Sequence, residues 1–179
     1  MKFVVLLRGI NVGGHKKIIM SELSEALYSI QQIDSVLSYI QSGNLVINSN
    51  LSKEELSQVV EKEIFRLYNF DVVVIIRTAE EWDGILSNIE NIAKKSLHIN
   101  RVYGIFLNKY PNNENIEKLK KVDFSPDSYI VNGKEIFTIY VNGMGKTKMN
   151  ISKFEKLLEL NATARNLNTI RKLKGLLDA

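Results

Sequence analysis

The feature that most constrains the fold is the order in which apolar runs and amphipathic helices follow one another. Residues 2–7 (KFVVLL), 35–40, 45–49 and 71–77 are strand-like, and helical periodicity covers 21–30 and 52–68. The resulting order, β-α-β-β-α-β, is that of a ferredoxin-like unit. The first 77 residues therefore predict an α+β half in which helices cover an antiparallel sheet.

A similar order begins again after a linking segment. Residues 101–107 predict a strand, 113–122 a helix, 128–141 a hairpin about Asn132 and Gly133, and 151–160 a helix. The segment 163–166 (TARN) predicts the start of a last helix. We therefore expect duplicated architecture: a ferredoxin-like half over 1–77, a linking helix and loop over 78–100, and a second α/β half with C-terminal helices over 101–179. Whether the two halves share one sheet is left open.

Composition favours a soluble globular protein. Hydrophobic residues make up 45% and charged residues 25% of the chain, and there is no cysteine. No run approaches the roughly 18 apolar residues of a membrane-spanning helix. The N-terminal apolar run is broken by Arg8, too early for a signal peptide. We expect a cytoplasmic protein that does not associate with membranes.

Positive charge is concentrated at both ends of the chain. Residues 1–20 carry four basic and no acidic side chains, and residues 141–179 carry eight basic and three acidic ones. If the fold brings these ends together, they form a surface that attracts phosphate groups. The alternative is two solvated helix faces without a ligand.

Residues 6–17 (LLRGINVGGHKK) run from a strand into a loop rich in glycine and positive charge. Glycines let backbone N–H groups approach an anion closely. The spacing fits neither the dinucleotide fingerprint nor the P-loop, and GKT at 145–147 fails as a P-loop because Tyr140 stands where its first glycine belongs. A turn on a basic surface is the alternative. The candidate binding residues here are Arg8, Asn11, Gly13, Gly14 and Lys16, together with His15.

Two further segments carry donors or cations that core packing does not explain. In residues 41–44 (QSGN), a two-residue turn at Gly43–Asn44 would pair Ser42 with Leu45. The polar sheet face beside this turn could receive a ligand, and the alternative is that it faces water. In TARN, a cation in the first helical turn opposes the helix dipole, which suggests a binding role; ion pairing with the acidic middle of the chain is the alternative. The candidate binding residues in these segments are Ser42, Gly43, Asn44, Arg165 and Asn166, and the basic turn at 145–148 adds Lys146 and Lys148.

These motifs resemble one family of mostly bacterial proteins. LLRGINVGGHKKIIM, SYIQSGNLVI, and GKTKMN followed by TARNLNTIRKL are similar to DUF1697, a family of unknown function, from Leu6 to about Leu173. The resemblance implies a duplicated α+β fold of ferredoxin-like character. It implies no activity and no catalytic residue.

The leading hypothesis is that the three segments form one pocket for a phosphorylated or carboxylated small molecule. Arg8 and Arg165 would clamp the anion, the glycine N–H groups would donate to it, and Asn11 and Asn44 would orient it. Histidine is the side-chain type that exchanges protons near neutral pH, so His15 is the candidate if a reaction exists. Whether the protein is an enzyme is left open.

Two other functions stay open, and several are excluded. The basic ends could serve a nucleic-acid-binding module, or an exposed sheet face could serve an interaction or oligomerisation domain. With only His15 and His98, and no carboxylate cluster of suitable spacing, no metal site is expected. No acyl-transfer motif is present, and no cofactor is expected.

Overall fold

The computed structural model describes residues 1–96 and 99–179, so His98 lies outside the described residues. The chain divides into two compact units. Unit 1 comprises residues 1–83 and 172–179, and unit 2 comprises residues 84–171. Each unit contains one four-stranded antiparallel sheet, which confirms the predicted α+β class with two duplicated halves.

Unit 1 has the predicted β-α-β-β-α-β order. Its sheet has the strand order β2-β3-β1-β4, and every neighbouring pair is antiparallel. This order is the ferredoxin-like arrangement expected from the sequence. The elements are β1 (Lys2–Leu7), α1 (Met20–Tyr28), β2 (Ile33–Ser38), β3 (Asn44–Ser49), α2 (Lys53–Tyr68) and β4 (Val74–Thr78).

The core of unit 1 lies between the helices and one face of the sheet. Alternate residues of β1, namely Phe3, Val5 and Leu7, pack with Leu23 of α1 and Val60 of α2. The intervening residues of β1 are also buried, as is β4 from Val74 to Arg77. Burial on both faces is typical of strands with a continuous apolar run, such as the one in residues 71–77.

Unit 2 repeats the same order in full. The elements are β5 (Val102–Leu107), α4 (Asn113–Lys120), β6 (Ser128–Asn132), β7 (Glu135–Ile139), α5 (Ile151–Leu158) and β8 (Ala162–Asn166), with the strand order β6-β7-β5-β8. The prediction that TARN begins a helix is wrong, because residues 162–166 pair with β5 as a strand. Each ferredoxin-like set of elements is followed by a helix, α3 (Ala79–Lys94) after β4 and α6 (Leu167–Asp178) after β8.

Side-chain caps fix the starts of α2 and α3 as their sequences predict. Ser52 and Glu55 form a reciprocal capping box before α2. At α3, the Thr78 hydroxyl accepts from the N–H of Glu81 at 3.1 Å, and the Glu81 carboxylate accepts from the N–H of Thr78 at 2.7 Å. In both cases, otherwise unpaired helical N–H groups gain acceptors.

The register of the β2–β3 hairpin differs from the prediction. Leu45 pairs with Ser38 rather than with Ser42, so residues 39–43 form a longer loop and Asn44 is the first residue of β3. The carbonyl of Gly43 accepts from the N–H of Leu7 in β1 at 2.9 Å. Pairing with the neighbouring strand β1 therefore overrides the local preference for a two-residue turn at Gly43–Asn44.

Candidate functional site

The glycine loop, residues 8–17, folds into a small hairpin of its own. The N–H of His15 donates to the carbonyl of Val12 at 3.0 Å, which closes a two-residue turn. The two central residues, Gly13 and Gly14, have φ angles of 58° and 79°. Both positive angles suit a primed turn, for which glycine is the favoured residue. All four residues of the turn are exposed, so its backbone is accessible to a ligand.

Asn11 joins the glycine loop to the hairpin loop, residues 39–43. Its side-chain Oδ1 accepts from the N–H of Ile18 at 2.9 Å, and its Nδ2 donates to the carbonyl of Ile18 at 3.0 Å. Nδ2 also donates to the carbonyl of Gln41 at 2.6 Å. The structure thus brings together two of the three predicted segments, and the Asn11 amide uses both its hydrogens to hold them.

Gly43 and Asn44 lie where the hairpin loop meets strands β1 and β3. A Cβ atom at Gly43 would lie 2.7 Å from Cβ of Leu7 and 2.9 Å from Cδ1 of Ile10, and its φ is 76°. Asn44 is fully buried, and its Nδ2 donates to the carbonyl of Tyr39 at 3.0 Å and to the hydroxyl of Ser42 at 2.9 Å. These residues shape the loop, and Ser42 is exposed upon it.

Basic residues flank the glycine turn in the sequence. Arg8 is half-buried, and its backbone N–H donates to the carbonyl of Val73 at 3.0 Å. Nζ of Lys16 donates to the carbonyl of Asp71 at 2.5 Å and lies 5.9 Å from the ring centroid of Phe70. Since a carbonyl carries no net charge, this bond does not neutralise the positive charge of Lys16. His15 and Lys17 are exposed.

The two loops also concentrate backbone strain. Among the described residues that are not glycine, five have a positive φ, and three of these lie in the two loops. They are Asn11 at 54°, Lys16 at 46° and Ile40 at 50°. Asparagine tolerates this region, whereas a β-branched residue such as Ile40 adopts it rarely. Strain of this kind persists where surrounding contacts fix the backbone, and it often accompanies binding sites.

The third predicted segment lies in unit 2. Arg165 is buried in β8, and its Nη1 donates to the hydroxyl of Thr163 at 2.7 Å and to the carbonyl of Ala164 at 2.8 Å. Burial lowers the pKa of Arg165 to about 10. Oδ1 of Asn166 accepts from the N–H of Thr169 at 2.8 Å and so caps α6. Lys146 and Lys148 are exposed.

Comparison with known proteins identifies the family. The family model described as "Protein of unknown function (DUF1697)" matches residues 1–137, which include both loops of unit 1. The chain belongs to the DUF1697 family. A solved structure, that of the conserved bacterial protein SP0830 from Streptococcus pneumoniae, is similar, with a TM-score of 0.72 and 25% sequence identity. The similarity covers 98% of each chain. No protein of curated function matches this chain.

Sequence reasoning missed Arg77 of this DUF1697 chain. Arg77 is buried in β4, and its Nη1 donates to the carbonyl of Ile76 at 2.9 Å. Arg77 and Arg165 occupy the same position in their units, each the fourth residue of the last strand, immediately before a residue that caps a helix. The signal in the sequence is the alignment of VIIRT with ATARN, which holds only when TARN is assigned to a strand.

The described residues of this DUF1697 protein contain neither a metal-binding cluster nor a membrane-spanning helix. No group of three histidine, cysteine, aspartate or glutamate side chains within residues 1–96 and 99–179 is placed to hold a metal ion. No α-helix in the same ranges has the length and apolar composition required to cross a membrane.

Proposed function

We propose that this DUF1697 protein binds an anionic small molecule, phosphorylated or carboxylated, at the glycine loop of unit 1. The observation that carries this proposal is an exposed, anchored turn that is flanked in sequence by basic residues. The N–H groups of Gly13 and Gly14 make no hydrogen bond within the described part of the chain, and residues 1–20 contain no acid. Unbonded N–H groups beside cations form a favourable environment for an anion.

In the proposed site, some of the candidate residues contact the anion and others hold the two loops in place. Arg8 and Lys17 supply charge, and the N–H groups of Gly13 and Gly14 supply donors. Support comes from the buried or internally bonded residues: Asn11, Gly43 and Asn44 hold the two loops, and Lys16 anchors the turn to Asp71. A loop fixed in advance loses little conformational entropy when a ligand binds. The proposed site uses unit 1 alone, without Lys146, Lys148, Arg165 or Asn166.

His15 gives the same site a candidate for proton transfer. Its side chain is exposed at the end of the glycine turn, directly after the two proposed donors. An imidazole in this position would lie beside a bound phosphate or carboxylate. The variant His15→Gln would separate proton transfer from anion binding, because it removes the imidazole and leaves the charges at Arg8 and Lys17 in place.

Thermal unfolding in the presence of anions tests the proposal. Orthophosphate, a nucleoside monophosphate and citrate are added separately to the wild-type chain and to Arg8→Ala, Lys17→Ala and Lys62→Ala. Lys62 is an exposed lysine of α2 and controls for loss of charge alone. We expect at least one anion to raise the unfolding temperature, with about tenfold or greater loss of affinity in the first two variants only. Equal loss in Lys62→Ala, or no stabilisation of the wild type, would contradict the proposal.

A nucleic-acid partner is the competing outcome of the same test. In that outcome, the protein binds single-stranded oligonucleotides with an affinity that rises with their length and falls steeply with salt, and the small anions do not stabilise it. The ligand would then be the phosphate backbone of a nucleic acid rather than a small molecule.

A further inference from the structure

The edge strand β6 of unit 2 lacks the features by which edge strands usually avoid pairing with other chains. It pairs with β7 at five consecutive positions without a register shift, and its sequence SYIVN contains neither proline nor a charged residue. The corresponding edge strand of unit 1, β2, contains Asp34 at a register shift between Ile33 and Ser35. Charges and bulges protect edges against strand addition. Of these two edges, only β2 is protected in this way.

The hydrogen bonds of neighbouring strands show which backbone groups of β6 point outward. The N–H of Leu107 in β5 donates to the carbonyl of Lys134 at 2.8 Å, so residues 134, 136 and 138 direct their backbone groups to β5. Residues 135, 137 and 139 consequently face β6 and engage residues 132, 130 and 128. The N–H and C=O groups of Tyr129 and Val131 therefore point away from the sheet. These four backbone groups make no hydrogen bond within the described ranges.

A groove lies on each side of β6. One, of about 520 Å³, lies between α3 and the outer strands, where Ile92 and Lys95 face Ile130 and Phe137. The other, of about 590 Å³, is lined by Tyr110, Ile116, Lys120 and Tyr129, among others. Ile130 and Val131 line both grooves, and Ile130 is 53% exposed. Successive side chains of an added strand would alternate between the two grooves.

The strand is held firmly in place for such an addition. The Tyr129 ring lies 5.7 Å from that of Phe124 and 5.8 Å from that of Phe154, both edge to face. Phe154 is fully buried in the core of unit 2. This aromatic cluster fixes the backbone of β6 before any partner arrives, which lowers the entropic cost of pairing.

Charge indicates what kind of chain would occupy the edge. Lys95 lines one groove and Lys120 the other, and no acidic residue is among the described residues that line either groove. Lys120 is paired with Glu117, whereas no ion pair of Lys95 is formed within the described residues. A second copy of β6 would bring no acid, since SYIVN has none. An acidic partner segment, in contrast, would supply the counter-charge.

We propose that β6 is a docking edge for an extended peptide segment of a partner protein, which adds as a fifth strand, places apolar side chains in the two grooves and sets an acidic side chain against Lys95. The main-chain hydrogen bonds to Tyr129 and Val131 would hold the segment, and the grooves would select its sequence. The inference rests on unit 2 and is independent of the anion site proposed for unit 1.

Selection from a displayed library of random nine-residue peptides tests this proposal. The wild-type chain is the target, and Val131→Pro is the matched variant. Because the N–H of Val131 points outward, proline there removes a docking donor without removing a hydrogen bond to β7. We expect enriched peptides with alternating apolar residues and at least one acid. Their affinity should fall at least tenfold in Val131→Pro and in Lys95→Glu, a surface change that keeps the fold.

Hydrogen exchange of the complex supplies the second readout. An enriched peptide should slow exchange at the N–H groups of Tyr129 and Val131 and leave β2 unchanged. Failure to enrich any peptide, or peptides that bind both variants as tightly as the wild type, would overturn the proposal. Light scattering without peptide gives the remaining outcome. If the wild-type chain is a dimer and the Val131→Pro variant is a monomer, the occupant of the edge is a second copy of the chain and the proposal is overturned.

Discussion

Nδ2 of Asn11 donates to the carbonyl of Gln41 at 2.6 Å, across 30 residues of sequence. This bond, with the two bonds between the Asn11 amide and Ile18, gives the glycine loop and the hairpin loop a common anchor. The proposed anion site depends on this anchor, because exposed loops that are not fixed adopt many conformations.

Replacement of Asn11 should therefore destabilise unit 1. Asn11→Gly keeps a residue that tolerates a φ of 54° and removes three side-chain hydrogen bonds. At about 1 kcal/mol for each bond, we expect the free energy of unfolding in urea to fall by about 2 to 3 kcal/mol. A loss below about 0.5 kcal/mol would mean that the loops are held by other contacts.

The close approach of Gly43 to β1 should make it far less tolerant than Gly14. The two glycines have similar φ angles, 76° and 79°, but a Cβ atom has open space at Gly14 and lies 2.7 Å from Leu7 at Gly43. Gly14→Ala should cost about 1 kcal/mol through backbone strain alone, and Gly43→Ala about 1 to 3 kcal/mol more through overpacking. Equal losses in denaturant titrations would contradict the steric argument.

Strain at Ile40 predicts that a polar substitution there stabilises the protein. The side chain is 51% exposed and its backbone has a φ of 50°. Because asparagine tolerates this conformation better than a β-branched residue, we expect Ile40→Asn to raise the free energy of unfolding by about 0.5 to 1 kcal/mol. Leu37→Asn, an exposed position in β2 with ordinary backbone angles, serves as the control and should give no gain.

Burial of Tyr140 predicts a loss of stability at alkaline pH. Burial raises the pKa of Tyr140 to about 12, from an ordinary value of 10. Between these values the unfolded chain releases the phenol proton and the native chain retains it, so the free energy of unfolding falls as pH rises. We expect the contribution of Tyr140 to this fall to reach about 2 to 3 kcal/mol at pH 12.

Tyr140→Phe is the variant that isolates this contribution. Urea titrations of both chains at several pH values above 9 should show a shallower decline for the variant. Part of the decline should remain, since burial raises the pKa of Tyr68 to about 12 as well. Identical pH profiles for the two chains would show that Tyr140 does not titrate differently in the folded state.

Sequence patterns within short segments are sufficient to predict most of the fold. The apolar runs of β1 and β4 and the capping boxes at Ser52 and Thr78 predict elements that the structure confirms, because helix caps and strand burial depend on residues close in sequence. Repetition of the β-α-β-β-α-β order was predicted up to the last strand. That strand, β8, contains two alanines and a single β-branched residue, so its pairing with β5 decides its conformation.

Long-range contacts explain what the sequence could not predict about the candidate site. The hairpin register depends on the bond from Leu7 to Gly43, and the role of Asn11 depends on Gln41 and Ile18. An asparagine in a glycine-rich stretch suggests a ligand donor, whereas both hydrogens of the Asn11 amide bond to the protein itself. Arg165 is buried because residues 162–166 pair with β5 as a strand, and local sequence predicts a helix start there instead.

Anion binding at the glycine loop is tested most directly by a nuclear magnetic resonance titration of the ¹⁵N-labelled chain with orthophosphate at constant ionic strength. If the glycine loop binds anions, the N–H signals of Gly13 and Gly14 should shift saturably, and Lys17→Ala should weaken the response. Matched sodium chloride should not reproduce it. An absence of saturable shifts in residues 8–17, or the same shifts with chloride, would contradict anion binding at this loop.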